Sequence, residues 1–87
     1  MEYIITFKNT NFAIKAEQCL LEQKMKVSVL PLPSQISAGC GICLKVTQTE
    51  IIQALKALTD NGINERGLFS RLQENGKYVY SEVSEEK

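Results

Sequence analysis

Ser37-Ala38-Gly39-Cys40-Gly41-Ile42-Cys43 sets one cysteine between two glycines and a second cysteine three positions later. A cysteine thiolate attacks electrophiles and other sulfur atoms, so Cys40 is the first candidate for chemistry. Gly39 and Gly41 remove side-chain bulk on both sides, which predicts a sulfur open to solvent and to a visiting reactant. The same glycines permit positive φ, and successive N–H groups in such a turn can form an anion-binding concavity. A thiolate or persulfide held there would be stabilised without any histidine. The competing reading is a tight turn that needs its glycines and tolerates a cysteine. The residues alone leave both open.

The other two cysteines have plainer explanations. Cys19 recurs with Phe12, Ala16 and Leu20 on one helical face and reads as a small core hydrophobe. Cys43 falls in a strand, where period-two alternation puts it opposite Ile42 and Leu44 and on the side of Lys45. It could pack under a neighbour or line the surface beside Cys40.

Several familiar chemistries are set aside by residue type. The chain has no histidine, which removes Ser-His-Asp catalysis. A thioredoxin-like C-x-x-C needs its first cysteine at a helix N-terminus, and here a strand follows the motif. In extended backbone, positions 40 and 43 tend to opposite faces, so a disulfide between them requires the turn to fold back. A zinc site wants about four ligands, and one C-x-x-C supplies two, so no metal is expected unless a dimer completes the set. No glycine fingerprint for phosphate is present, and no cofactor is called for.

The elements that must position Cys40 follow from spacing. Tyr3–Phe7 is β-branched and aromatic and reads as a buried strand. Lys8-Asn9-Thr10-Asn11 supplies side chains that can accept from unpaired helix N–H groups. A helix follows to about Met25, with Ile14, Leu21 and Met25 on the face opposite Phe12, Ala16 and Leu20, a hint of a partner surface. Val27–Leu30 is a second strand, ended by Pro31 and Pro33. Ile42–Val46 restores strand character. Thr47 and Glu50 have capping-box spacing ahead of a helix carrying Ile51, Leu55 and Leu58. Asn61-Gly62 stops that helix. Ile63–Leu72 holds a fourth strand, Asn75-Gly76 is a tight turn, and Lys77–Val83 pairs back as a fifth. The order β-α-β-β-α-β with an extra C-terminal strand predicts an α+β, ferredoxin-like sandwich: an antiparallel sheet with two helices on one face. Residues 1–83 are expected to form a single domain, and 84–87 a solvated tail.

The totals agree with a small globular domain. The 87 residues are 44% hydrophobic and 23% charged. Ten acidic residues balance ten basic ones, so no global field favours nucleic acid or an anionic membrane. No apolar run approaches the roughly 20 residues of a membrane span. The start, MEYIITFKN, reads as a strand and not as a signal peptide. A cytoplasmic protein is expected, with its three cysteines reduced.

The stretches YIITFKNTNFAIKAEQCL and VSVLPLPSQISAGCGICLKV, with the later helix ending in DNGI, resemble the DUF3343 family of selenium/sulfur carrier-like proteins. The likeness spans nearly residues 2 to 70. Its most specific parts are Pro31, Pro33, the approach from Ser37 to Cys40, and Cys40-Gly41 followed by a strand. The resemblance implies that Cys40 carries a chalcogen atom, with Gly41 as its neighbour. The expected activity is that of a carrier more than a turnover enzyme. Cys40 would take sulfur or selenium from a donor protein, hold it as a per(seleno)sulfide and pass it to an acceptor protein. Gly39 and Gly41 would give access, Pro31 and Pro33 would stiffen the approach, and Cys43 is a candidate resolving thiol. All of this requires the Cys40 sulfur to be exposed. The alternatives are a non-catalytic binding or regulatory module, dimerising through a face such as that of Ile14, Leu21 and Met25, or a Cys40/Cys43 redox sensor.

Overall fold

The computed structural model describes residues 1–37 and 39–85. Its elements are β1 (Glu2–Phe7), α1 (Thr10–Glu22), β2 (Val27–Pro31), β3 (Ile42–Thr47), α2 (Ile51–Asp60), β4 (Arg66–Glu74) and β5 (Lys77–Glu82). The strands form one antiparallel sheet in the order β2-β3-β1-β4-β5. This is the expected α+β ferredoxin-like arrangement, with the extra strand added outside β4. Asn75 at φ 50° and Gly76 at φ 78° make the left-handed turn that joins β4 to β5.

Alternation along each strand divides the apolar residues between two faces. On one, Ile5, Phe7, Leu44, Val46 and Leu68 meet Ala13, Ala16, Cys19 and Leu20 of α1, and Ile51, Ala54 and Leu58 of α2. Fully burying a side chain such as Leu20 or Leu58 contributes about 1.5–3 kcal/mol. On the other face no helix packs among the described residues. There Ile4 and Cys43 are covered by Ile36, with Leu30, Leu32, Phe69 and Tyr80 around them. Farther along β1, Glu2 accepts from Arg71 and pairs with Lys45 at 3.3 Å.

Both helices end in the same way, and this corrects two expectations. α1 stops at Glu22, not near Met25. Lys24 adopts φ 60°, its N–H donates to Leu21, and the Met25 N–H donates back to the Leu20 carbonyl. This left-handed reversal swings Met25 into the core, where it is 4% exposed. Met25 therefore does not share a surface with Ile14 and Leu21. α2 repeats the motif with Gly62 at φ 76° and the Ile63 N–H on Leu58. Ile63 is thus a buried cap residue, and β4 begins three residues later at Arg66.

The start of α2 is a further correction. Thr47 closes β3 opposite Glu2, so it is not free to be an N-cap. The capping position is Glu50, which makes no side-chain cap, while Thr47 Oγ1 donates to the Glu50 carboxylate at 3.3 Å. For α1 the expectation holds, since Asn9 caps it by accepting from the Phe12 N–H at 3.0 Å.

Candidate functional site at the Cys40 end of the sheet

One end of the sheet gathers the last residues of β1 and β2, the first of β3, and the N-terminus of α1. The chain leaves β2 at Pro31, which sits at the sheet edge opposite Ile42. Its excursion is closed at the base by the Leu32 N–H on the Gly41 carbonyl at 3.0 Å. Pro33 opens a turn by accepting from the Ile36 N–H, also at 3.0 Å. Pro31 and Pro33 therefore shape both sides of the departure from β2.

Cys40 lies where this excursion meets β3. Its side is the helix-covered one, and it is 2% exposed. The expected open sulfur is not what this conformation contains. The sulfur accepts from the Ile42 N–H at 3.4 Å, and its thiol donates to Thr10 Oγ1 at 3.6 Å. Thr10 is the exposed first residue of α1, so the sulfur sits beneath a surface hydroxyl at that helix's N-terminus. Helix N-termini favour negative charge. The local motif argued against a helix at Cys40, because a strand follows it. The fold supplies one from thirty residues upstream. Thr10 was legible in the sequence only as part of a capping stretch.

The flanking glycines do something other than expected. Gly41 does not have positive φ; among the described glycines that belongs to Gly62 and Gly76. A β-carbon on Gly39 would collide with the backbone carbonyl of Lys8, whose carbon would lie 3.2 Å away. Gly39 is needed so that the excursion can press against the end of β1. A β-carbon on Gly41 would meet nothing within 4 Å. Both glycines are exposed, so the layer over the sulfur is thin.

Cys43 is on the opposite face, fully buried against Ile4 and Ile36. Its thiol donates to the Pro31 carbonyl at 3.8 Å. Burial pushes this thiol up from its ordinary ionisation range, only partly offset by Arg71, and Cys40 adds to the rise. Cys19 is likewise raised, by burial first and then by Glu22 and Asp60, and donates to the Ala57 carbonyl at 3.6 Å. A carbonyl partner stabilises the protonated thiol, whereas an N–H partner stabilises the thiolate. Among the described residues, Cys40 is the only one of the three cysteines to receive an N–H.

Cys40 and Cys43 thus belong to separate apolar clusters, and the structure does not bring them together. Among the described residues no group of three or more cysteine or carboxylate side chains could hold a metal ion. An open groove of about 1260 Å³ runs between α2 and β4, lined by Tyr3, Ile51, Leu55, Leu68 and Val83, and does not reach Cys40. No helix among the described residues is long and apolar enough to cross a membrane.

Neither the curated proteins nor the solved structures contain a match to the chain. A family model does match it, over residues 2–70, a span that holds α1, the excursion after β2, Cys40 and all of α2. By that match the chain belongs to the family described as "Putative Se/S carrier protein-like".

Proposed function

We propose that this chain carries sulfur or selenium as a per(seleno)sulfide on Cys40, and that the atom is reached when the excursion after β2 opens. The observation that carries the reading is the contrast among the three cysteines. Cys19 and Cys43 donate to carbonyls, while the Cys40 sulfur accepts the Ile42 N–H and donates to Thr10 at the start of α1. That is the arrangement a sulfur anion requires. Family membership supplies the class of cargo.

The chemistry is an exchange between sulfur atoms. The Cys40 thiolate attacks the outer sulfur of a donor's persulfide, the donor's S–S bond breaks, and the donor leaves as a thiolate. Cys40 then bears the persulfide. When an acceptor thiolate attacks the outer sulfur, Cys40 in turn leaves as a thiolate, stabilised by the Ile42 N–H. The Thr10 hydroxyl, which accepts from the thiol, rotates to donate once the proton has gone. No oxidant is consumed, and selenium follows the same path. Donor and acceptor proteins are the partners this needs.

The deciding experiment is mass spectrometry of the protein after incubation with a cysteine desulfurase and cysteine. One added sulfur on Cys40, lost in Cys40→Ser, is expected. An unmodified Cys40 beside a normally loaded control carrier defeats the proposal.

The burial of Cys40 favours a second reading, a binding or regulatory module in which that thiol only packs. Ile14 and Leu21, each about half exposed on α1, would then be the working surface. Alkylation separates the two. A carrier's Cys40 reacts without global unfolding, and a packing cysteine's does not.

A further inference from the structure

The chain between β2 and β3 plugs both faces of the sheet. Ile36, 5% exposed, seats against Ile4 and Cys43 on the helix-free face. Four positions on, Cys40 seats in the core on the helix side. Ser34, Gln35, Ser37, Gly39 and Gly41 are all exposed, so Ile36 is the one fully seated side chain between Pro33 and Cys40 among the described residues. Four residues span at most about 14 Å of extended chain. Neither plug can move far without drawing on the other.

We infer that Ile36 is the latch of this excursion: its release from the Ile4–Cys43 pocket uncovers Cys43 and frees Cys40 in the same event. Ile36 is a positioning residue, seated in a different apolar cluster from Cys40. A segment seated by Ile36 and Cys40, with only Leu32 packed beside Ile36 and two local backbone bonds, belongs to the low-energy end of local opening. In the closed state the two thiols face opposite sides of the sheet. Only the open state lets Cys43 approach a loaded Cys40. There the Cys43 thiolate can attack the inner sulfur of the persulfide, forming the Cys40–Cys43 disulfide and expelling hydrosulfide. A cellular dithiol then reduces that disulfide. This consequence rests on the carrier reading, whereas the latch itself does not.

The test is alkylation of the full chain by iodoacetamide under native conditions, followed cysteine by cysteine with mass spectrometry. Cys19, held between α1 and α2, reports global unfolding. In the unaltered protein, Cys40 and Cys43 are expected to react at rates set by one common opening, both faster than Cys19. Ile36→Ala should speed both by at least about tenfold and leave Cys19 unchanged. Acceleration of Cys43 alone, of all three equally, or of none overturns the latch. Should Ile36→Ala fail to fold, Ile36→Val and the unaltered protein's own three rates decide the matter in the same terms. The two proposals fail separately. Common opening without a sulfur adduct on Cys40 ends the carrier reading alone, and an adduct without common opening ends the latch alone.

Discussion

The Cys40 sulfur and the Thr10 hydroxyl lie 3.6 Å apart, although thirty residues separate them in the chain. The contact exists because antiparallel pairing of β1 with β3 brings the end of one beside the start of the other. A hydroxyl that turns from acceptor to donor follows the sulfur through loss of its proton. Thr10→Val keeps the branched shape and removes that donor. It should slow sulfur loading of Cys40 by about three- to tenfold, within the about 0.5–1.5 kcal/mol that an ordinary hydrogen bond contributes net. Thr10→Ser should retain most of the rate. Equal rates for Val and Ser would show that the hydroxyl only packs.

Gly39 and Gly41 flank the same cysteine but should respond oppositely to alanine. The Gly39 contact is with the Lys8 carbonyl, part of the backbone, so the neighbour cannot simply rotate away. Gly39→Ala must lift the excursion, with an expected cost of about 1–3 kcal/mol in urea denaturation and faster alkylation of Cys40. Gly41→Ala enters open space without positive φ and should stay within about 0.5 kcal/mol of the unaltered protein. Equal tolerance at the two positions would mean that Lys8 does not limit the excursion.

Most of the fold was legible because its signals are local. The β-branched and aromatic run YIITF, alternation in ICLKV, the Asn9 cap, Gly62 and Asn75-Gly76 each act within a few residues, and each did so. Cys43 facing away from Leu44 came from the same period-two rule. The misses needed a partner distant in sequence or a conformation without its usual residue. Met25 was assigned to a wet stripe because nothing marked Lys24 as the left-handed residue, a position glycine normally fills. Gly39 and Gly41 suggested access, since the sequence does not tell that Lys8 lies against one and nothing against the other. The exposure of Cys40 was unreadable for the same reason: it depends on where α1 begins in space.

That correction divides the three apolar residues of the supposed stripe. Ile14 and Leu21, at 49% and 48% exposed, should tolerate glutamate within about 0.5 kcal/mol in denaturant unfolding. Met25→Ala should cost about 2–5 kcal/mol, since it empties a site beside Leu20. A comparable loss at Ile14 would place it in contacts this fold does not contain.

Glu2 gives the sheet an acid-side dependence. Its carboxylate accepts from the Arg71 Nε at 2.9 Å and pairs with Lys45, and the Arg71 bonds hold it below its ordinary 4.5. Because the folded value is depressed, the unfolded chain takes the proton first. The contribution is complete above pH 4.5 and is lost as pH falls through the folded value. Melting temperatures of the unaltered protein and Glu2→Gln should differ by a constant amount near neutrality and converge in acid. A gap that does not change down to strongly acidic pH would remove Glu2 from the balance.

Cys43 supplies the alkaline counterpart and a check on its place in the chemistry. Its thiol is raised by burial above its ordinary 9.0, so the folded state holds the proton more tightly than the unfolded chain does. The stability this represents is complete below pH 9.0 and is lost as pH rises through the folded value. Cys43→Ala removes the titrating group and leaves a small void among Ile4, Ile36 and Leu30, at an expected cost of about 1 kcal/mol near neutrality. That cost should shrink in alkali, because only the unaltered protein must keep a buried thiol protonated there. Sulfur loading of Cys40 should persist in Cys43→Ala, since the Cys43 thiol lies across the sheet from the Ile42 N–H and Thr10. Release of hydrosulfide from the loaded protein without an acceptor should fall, because no second thiol remains to displace it. Undiminished release would return Cys43 to a purely packing role and leave delivery to the acceptor's own thiolate.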